Sequence, residues 1–408
     1  MSRLFGFEWI AALRFMREGM TQTLLIVVGV TLGVAVITFM SALLTGLQQN
    51  LFRRTLEYQA QIVVLPPEDV SRPLRGDASS QATPIVQPRT QKLRSVDQWQ
   101  RVRDEIAGMR GVTAIAPVVS GPGLVLRGEA NKAVSITGME PDSYLRVVNL
   151  RAKIVLGTAE LTGSDIVIGT ELAKDLGATI GDKLRVTTAS GAAQVLQVVG
   201  LFDFGNQGVN ERTVYVALRV AQSLLDLAGG VSSLEVNVSD PFAAEDAAQA
   251  IAARTSLDAD SWIRTNQQFF SAIAAQSLSN TVIRFFVALT AALGIASVLV
   301  VSVVQKSREI GILRAMGTSR GQVLRLFLIE GALMGLVGSL CGSVLGFVFL
   351  NFWRGLARNA DGTPMFIVDF ESKLFVYAAV GATLVGTLAA VVPARRAARL
   401  DPAIAIRG

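Results

Sequence analysis

Four long apolar runs constrain this chain more than any other feature of its sequence. Each run is uncharged and has at least about 20 residues, the length at which an α-helix crosses the roughly 30 Å hydrocarbon core of a bilayer. The 408 residues are 51% hydrophobic and 17% charged, with a mean hydropathy of +0.46, so part of the chain is expected in lipid. The runs are residues 23–47, 285–305, 331–353 and 374–393.

A single run of this kind is also compatible with a buried helix of a soluble protein, but four together disfavour that alternative. The first run is longer than the roughly 7–15-residue apolar region of a cleaved signal sequence, and no A-x-A-like cleavage site follows it. The sequence therefore predicts an α-helical membrane protein with four transmembrane helices.

Basic residues are distributed unevenly around the four runs. Segments 1–22, 306–325 and 394–408 hold twelve basic and four acidic residues, whereas residues 48–280 hold 22 and 24. Because short cytoplasmic segments carry the excess of Lys and Arg, we expect these three segments in the cytosol and residues 48–280 in the periplasm, with the chain in the inner membrane. The net charge of +6 then reflects topology, and no nucleic-acid partner is expected.

The runs and the charge pattern together divide the chain into nine segments. A helix on the cytoplasmic face is predicted at 1–22, where Trp9, Ile10 and Leu13 oppose Arg14 and Arg17, although this stretch can also be read as a continuation of the first span. The other predicted segments are membrane spans at 23–47, 281–305, 326–353 and 374–393, a periplasmic domain at 48–280, a cytoplasmic loop with a short helix at 306–325, a short periplasmic loop at 354–373 and a cytoplasmic tail at 394–408.

Residues 48–280 alternate between strand and helix patterns and are numerous enough to enclose their own core. A strand, a helix capped by Asp97 and a β-branched strand at 112–119 form one unit, and a similar unit spans residues 234–264. A more β-rich insert lies between them. The pattern predicts a large α+β periplasmic domain inserted between transmembrane helices 1 and 2, with two subdomains and with the two end units paired.

A stalk of long helices is predicted where this domain joins the spans. No helix breaker occurs between Asn266 and Gly294, which predicts one helix of about 40 residues, or roughly 60 Å at ~1.5 Å per residue. An extension of the first span through residues 47–54 would give the second helix of the stalk.

The chain has one cysteine, Cys341, and no histidine. Cys341 lies inside the third run, so no disulfide is expected in residues 48–280. The lack of histidine excludes His-based catalytic triads and the commonest transition-metal ligand. Neither a catalytic residue nor a metal site is therefore expected.

Glycines recur at a spacing near four inside two of the apolar runs. This spacing places them on one helix face and lets neighbouring helices approach closely. The glycines expected to pack helices together are Gly29, Gly33, Gly331, Gly335, Gly338, Gly342 and Gly346.

The most specific local pattern is K-S-R-E-I-G-I-L-R-A-M-G-T-S-R-G-Q-V-L-R at residues 306–325. A helix is expected to break near Gly317 and Thr318, and Thr318 or Ser319 can cap a second helix that runs into the third span. From periodicity alone, a plain basic loop between spans is an equally good interpretation.

This loop closely resembles the REIGILRAxG-(A/T)-S-R motif of the MacB/LolC/FtsX permease family. Residues 393–407, P-A-R-R-A-A-R-L-D-P-A-I-A-I-R, resemble the same family's P-A-x-x-A-x-x-x-D-P-A-x-x-L-R ending, with Ile406 where Leu is usual. One span, a large outer domain and three further spans also match. The resemblance covers nearly the whole chain and identifies it as similar to mechanotransmission-type (type VII) ABC transporter permeases.

The resemblance implies an assembly around two permeases, a second copy or a paralogue, with one ABC ATPase subunit of LolD/MacB type on each. The chain has no Gly-Lys dipeptide and hence no P-loop, so ATP and Mg²⁺ are expected on the partner and no cofactor in this chain. That arrangement is more like the stand-alone permeases LolC/LolE or DevC than MacB, whose ATPase is fused. Membrane lipids and a periplasmic adaptor, chaperone or outer-membrane channel complete the expected partners.

Two sets of residues are candidates for function. Carried over onto this sequence, the contact with the ATPase comprises Arg308, Glu309, Ala315, Met316, Gly317, Thr318, Ser319, Arg320 and Val323. Substrate access between the outer ends of the first two spans is expected at Met40, Leu43, Leu44, Phe285, Phe286 and Leu289.

The function implied by the resemblance is export or extraction of an amphipathic substrate such as a lipoprotein, lipid, peptide or drug-like molecule, driven by ATP hydrolysis. An FtsX-like subunit that signals to a periplasmic partner without transport is the alternative. A membrane-anchored enzyme with a catalytic outer domain has no support, because no G-x-S-x-G motif occurs in residues 48–280. A proton-driven antiporter is disfavoured, because Glu330 is the only acidic residue near the spans, and we expect it to reach the interface or pair with a cytosolic arginine.

Overall fold

The computed structural model describes residues 5–67, 93–356 and 372–401. It divides into two compact units, of which unit 1 comprises Met1–Leu51 and Ser271–Gly408 and unit 2 comprises Phe52–Phe270. Most of the loop expected at 66–95, most of segment 354–373 and the end of the tail, including Ile406, lie outside the described residues.

The first part of the chain contains α1 (Phe5–Glu18), α2 (Met20–Tyr58), β1 (Ile62–Leu65), α3 (Trp99–Ala107), β2 (Val112–Arg127), β3 (Ala130–Met139), α4 (Pro141–Val147), β4 (Ile154–Gly157), β5 (Asp165–Gly169) and α5 (Thr170–Leu176). The middle contains β6 (Lys183–Thr188), β7 (Ala193–Phe202), α6 (Gln207–Arg212), β8 (Thr213–Ala217), α7 (Leu218–Leu224), β9 (Ser233–Val238), α8 (Ala244–Thr255), β10 (Asp258–Ser261) and α9 (Trp262–Thr265). The last part contains α10 (Gln267–Gln305), α11 (Ser307–Ala315), α12 (Arg320–Leu356) and α13 (Ser372–Ala398).

Unit 1 is helical in its described residues. Four of the described helices, α2, α10, α12 and α13, are long and apolar enough to cross a membrane. Both α2 and α10 run for 39 residues, so α10 has the length that the missing helix breakers predict. The amphipathic helix α1 ends at Glu18, and Gly19 separates it from α2, so it is not a plain continuation of the first span.

Unit 2 contains ten described strands in one sheet with two parts. The order β10-β1-β9-β2 forms an open part, and the pairs β2-β3, β3-β8, β8-β5, β5-β7, β7-β6 and β6-β2 close a ring of six strands. The tenth strand, β4, pairs with β7 of the ring. The open part joins the two end units that the sequence indicates. Because β2 belongs to both parts, a single strand ties the open sheet to the closed ring.

Two expectations for unit 2 are wrong. The strand β2 runs without interruption for 16 residues, from Val112 to Arg127, whereas the sequence pattern predicts a strand at 112–119. Pro122 pairs with Ser135 of β3, and a Cβ at Gly121 would lie 2.8 Å from Leu225, so this glycine admits close packing rather than a turn. Asp97 does not cap α3, because the N-cap is Gln98, with φ at 49° and no side-chain hydrogen bond.

An aromatic cluster lies where the chain enters and leaves unit 2. The ring of Phe52, near the end of α2, stacks on that of Phe270, at the start of α10, with centroids 5.6 Å apart. Trp262 contacts both rings and donates a 2.7 Å hydrogen bond from Nε1 to the Pro241 carbonyl. Offset and edge-to-face pairs of this kind add to the stabilisation from buried area, so the first and last helical residues of the unit are held together.

Glu235 of β9 lies close to Tyr144 and Tyr215, and its removal from water raises the pKa of its carboxyl from 4.5 to about 7. The folded state therefore holds a proton that the unfolded state releases above pH 4.5, and the free energy of unfolding falls as the pH rises from 4.5 to 7. We expect Glu235→Gln to remove most of this pH dependence. The measurement is the thermal midpoint of the detergent-solubilised chain at pH 4.5 and at pH 7. An equal slope in the variant would contradict the assignment.

Candidate functional site

The turn between α11 and α12 is fixed by backbone hydrogen bonds at the end of α11. The amide of Gly317 donates to the Arg314 carbonyl at 3.1 Å, and the amide of Thr318 donates to the Leu313 carbonyl at 3.1 Å. These two bonds form a Schellman motif, which requires a left-handed residue after the helix. Gly317 supplies it with φ at 103°. The helix therefore ends where the sequence motif places its glycine.

A capping box starts α12 immediately afterwards. The amide of Gln322 donates to the Ser319 hydroxyl at 3.2 Å, and the amide of Ser319 donates to Oε1 of Gln322 at 2.8 Å. This reciprocal pair satisfies two backbone donors at the helix start. Of the two caps that the sequence allowed, Ser319 is the one used. The Schellman motif and the capping box thus fix the backbone on both sides of residues 315–320, which we call the exposed turn.

The exposed turn presents an apolar tip that no described residue covers. Met316 is 73% exposed, and Ile312 on α11 is 44% exposed. Thr318 is half-buried, while the other candidate contact residues Arg308, Glu309, Ala315, Gly317, Ser319 and Arg320 are exposed. Val323 differs, because it is 3% exposed and packs with Ile310 and Phe327 in the core of unit 1. A partner could therefore reach the turn and the outer face of α11, but not Val323.

Lys306 joins the start of α11 to the N-terminal helix α1. Its Nζ donates a 2.7 Å hydrogen bond to the Phe15 carbonyl, lies 3.5 Å from the Glu18 carboxylate and sits 4.1 Å from the centre of the Phe15 ring. The residue is only 8% exposed. A buried ammonium needs partners of this kind, so α1 and the α10–α11 junction are held together.

Arg314 joins the end of α11 to the C-terminal segment. Its Nη1 donates a hydrogen bond to the Leu400 carbonyl. The two sequence motifs that carry the family resemblance therefore contact each other through Arg314 of the first and Leu400 of the second. Hydrogen bonds thus attach α11 to α1 at one end and to the C-terminal segment at the other. The helix that precedes the exposed turn is therefore held in place at both ends.

Glu330 does not behave as expected. It is 2% exposed, its Oε2 has no hydrogen-bond partner in the described part of the chain, and no arginine pairs with it there. The physical reason is that α1 covers this face of α12, where Phe15 contacts Phe327 at 6.3 Å between ring centroids. The nearby Arg325 lies 3.6 Å from Glu8 of α1 instead.

The glycines of α12 face two different helices. A Cβ at Gly331 would lie 2.6 Å from the Gly386 carbonyl of α13, and one at Gly342 would lie 2.6 Å from the Thr31 carbonyl of α2. Gly335 faces α13 in the same way, and Gly338 and Gly346 face α2. Such distances leave no room for a side chain, so α12 packs backbone to backbone on both sides.

The two glycines of α2 differ from each other. A Cβ at Gly33 would lie 2.9 Å from Val287 of α10, whereas one at Gly29 would meet nothing within 4 Å. Gly29 therefore makes no close helix contact within the described residues.

The six residues expected at substrate access remain on or near the surface of unit 1. Met40, Phe285, Phe286 and Leu289 are 42%, 63%, 59% and 42% exposed, and Leu43 and Leu44 are half-buried. No group of three or more His, Cys, Asp or Glu side chains that could hold a metal occurs in the described residues.

Gly317→Ala is expected to loosen the exposed turn, because an alanine at φ 103° costs about 1–3 kcal/mol of backbone strain. Hydrogen exchange of the amides at 316–319 should speed up. Gly321→Ala, in the first turn of α12 with no neighbour closer than 3.9 Å, is the matched control and should leave exchange unchanged. Equal protection in both variants would show that the Schellman motif does not fix the turn.

Comparisons with known proteins cover nearly the whole chain. Residues 23–254 match the MacB-like periplasmic core domain, and residues 281–402 match the FtsX-like permease C-terminal family. The lipoprotein-releasing system transmembrane protein LolC of Neisseria meningitidis is 27% identical over 76% of this chain and 81% of its own length. LolC of Xylella fastidiosa is 26% identical over 93% of this chain and 92% of its own length.

The macrolide export ATP-binding/permease protein MacB of Psychrobacter arcticus is 24% identical over 96% of this chain but over 58% of its own length. Both family matches and the named relatives confirm the resemblance that the two sequence motifs carry. The chain therefore belongs to the MacB/LolC/FtsX-like family of ABC transporter permeases.

Proposed function

We propose that this chain is the membrane subunit of an ATP-driven ABC transporter that extracts or exports an amphipathic substrate. ATP and Mg²⁺ bind a separate ATPase subunit, and two permeases assemble with two such subunits in the inner membrane, with unit 2 as the periplasmic domain. The observation that carries the proposal is the exposed turn, whose apolar tip at Met316 is fixed by two capping motifs and covered by no described residue.

A rigid tip suits a docking element because little conformational freedom is lost when it binds. Met316 offers an apolar anchor and Arg320 a neighbouring positive charge, and both residue types are enriched at protein interfaces. Since Lys306 and Arg314 brace α11, a displacement of the exposed turn moves α1, α11 and the start of α12 together.

Long uninterrupted helices support a mechanical role. Because α2 and α10 each run for 39 residues, a displacement at one end of either helix is passed along its axis over roughly 58 Å at ~1.5 Å per residue. In the proposed cycle, ATP binding closes the two ATPase subunits, the exposed turns follow, and the long helices move the periplasmic domains against the substrate. No continuous polar pore is needed.

Reconstitution tests this function directly. The chain is co-expressed with its ATPase subunit, purified as a complex and placed in liposomes that contain a fluorescent acylated peptide. We expect ATP hydrolysis to release the peptide, and a Walker-motif variant of the ATPase to release none. A complex that hydrolyses ATP without releasing the probe would favour the FtsX-like signalling alternative, and failure of the two proteins to form a complex would remove the ABC assignment for this chain.

A further inference from the structure

A groove between three spans of unit 1 contains one charged residue among its described lining residues. The groove lies between α2, α10 and α13, has a volume of about 230 Å³ and is lined almost entirely by apolar and small side chains. The charged residue is Arg284 of α10, whose Nη2 donates a 2.6 Å hydrogen bond to the Ser41 hydroxyl of α2. Tyr377 of α13 lines the same groove. The groove thus combines an apolar trough with a single positive charge.

Arg284 has donor capacity that unit 1 does not use. A guanidinium carries five N–H donors, and the Ser41 hydroxyl is the acceptor that the described residues provide. No Asp or Glu lines the groove in the described part of the chain. Because a positive charge beside an apolar membrane surface is costly without a counter-charge, this site calls for an anion with several acceptor oxygens, as a phosphate has.

The position of Arg284 matches the edge of a bilayer. It precedes Gln305, the last residue of α10, by 21 residues, or about 31 Å along the helix, close to the ~30 Å thickness of a hydrocarbon core. Tyr377 lies near the start of α13, and tyrosines are enriched at membrane interfaces. The charge therefore lies at the membrane boundary opposite to α11.

The length of the groove matches one leaflet. Its lining along α10 extends from Arg284 to Ile295, which is 11 residues, or about 16 Å. That is close to half of the ~30 Å core. Its volume exceeds the roughly 150 Å³ of an apolar cavity that holds benzene. The charge and the trough are thus spaced like the headgroup and the hydrocarbon chain of a lipid.

We propose that this groove binds an anionic phospholipid of the surrounding bilayer, with the lipid phosphate on Arg284 and one acyl chain along α2, α10 and α13. The lipid is a resident of the permease rather than its cargo, so the inference does not depend on the proposed function. None of the six residues expected at substrate access lines this groove. Gly381 keeps the trough open, because a side chain there would project into free space.

Thermal unfolding of the full chain in detergent, with phosphatidylglycerol or phosphatidylcholine added, tests the site. A lipid that binds only the folded chain raises its thermal midpoint with concentration. We expect phosphatidylglycerol to raise the midpoint of the wild type and phosphatidylcholine to have a much smaller effect. Arg284→Gln should raise at least tenfold the phosphatidylglycerol concentration that is needed for a given rise in the thermal midpoint. Gly381→Phe should abolish the rise, and Arg284→Lys should keep part of it.

Two matched controls separate the groove from general lipid effects. Arg219→Gln removes an exposed charge in unit 2, and Gly355→Phe adds a ring on α12, which contributes no residue to the groove, at a position where no described atom lies within 4 Å of the added Cβ. Both should respond to phosphatidylglycerol like the wild type. The proposal is overturned if Arg284→Gln and Gly381→Phe also respond like the wild type. It is also overturned if phosphatidylglycerol and phosphatidylcholine raise the thermal midpoint of the wild type equally.

A second copy of the chain is the competing occupant. In a Cys341→Ser background, Gly381→Cys should react with a maleimide in the absence of phosphatidylglycerol and be protected by it. A disulfide between two copies at this position in the membrane would instead show that protein covers the groove, and the lipid assignment would fall.

Discussion

Replacing Met316 with Asp and Arg320 with Glu is expected to weaken binding of the ATPase subunit at least about 30-fold without affecting insertion of the chain. Truncation of an interface anchor typically costs about 2 kcal/mol or more, and each ~1.4 kcal/mol is a factor of ten in Kd. The buried carboxylate at 316 adds a desolvation cost, and the reversed charge at 320 adds repulsion where a cation was accepted. ATP hydrolysis by the purified complex should become insensitive to substrate.

Co-purification of the ATPase with each permease variant, followed by titration in nanodiscs, measures this effect. The matched control carries the same kinds of change on exposed residues of unit 2, Val195→Asp with Arg219→Glu. We expect the control to bind the ATPase like the wild type. Unchanged binding by the Met316/Arg320 variant would show that the motor docks elsewhere.

Gly342→Val is expected to lower the free energy of unfolding of the helical unit by about 1–3 kcal/mol or more, the usual cost of overpacking a tight interior. The added Cβ would lie 2.6 Å from the Thr31 carbonyl and 2.7 Å from the Val34 Cβ. The first of these is a backbone atom, which no side-chain rotation can move. Helices α2 and α12 must therefore separate, and the contacts around them are lost.

The measurement is the thermal midpoint of the full chain in a fixed detergent, together with its resistance to proteolysis. Gly29→Val is the control, because it places the same side chain on α2 where the added Cβ meets nothing within 4 Å. We expect the control to unfold at nearly the wild-type temperature. If both variants lose stability equally, helix propensity rather than close packing is responsible.

Local chemistry made the candidate site largely predictable from the sequence. The glycine at 317 and the Ser319-x-x-Gln322 pattern act through hydrogen bonds between residues a few positions apart, so the break and the restart of the helix can be inferred from neighbouring letters. Similarly, the missing breakers after Asn266 gave the length of α10.

The supports of the site could not be predicted because they depend on residues far apart in sequence. Lys306 binds the Phe15 carbonyl, 291 positions away, and Arg314 binds the Leu400 carbonyl, 86 positions away. A basic residue in a cytoplasmic loop has the same sequence appearance whether it is solvated or buried. The only available signal was that Lys306 directly follows an apolar run, where a charge is easily covered.

The sheet of unit 2 shows the same division between local and distant interactions. The strand β1 and the start of β2 have clear β-branched patterns, but the closure of six strands through the β2–β6 pair depends on register between distant segments. Gly121-Pro122-Gly123 resembles a turn in isolation, and only packing against Leu225 and pairing with β3 keep it extended. Tertiary contacts override the local propensity there.

The stacking of Phe52 on Phe270 brings the first and last residues of unit 2 side by side. Segments whose ends meet in this way can be inserted into a host loop, or removed from it, without stretching the host. Such a unit can be inserted or removed as a whole. Unit 2 can therefore be replaced by another unit without a change in the helices of unit 1.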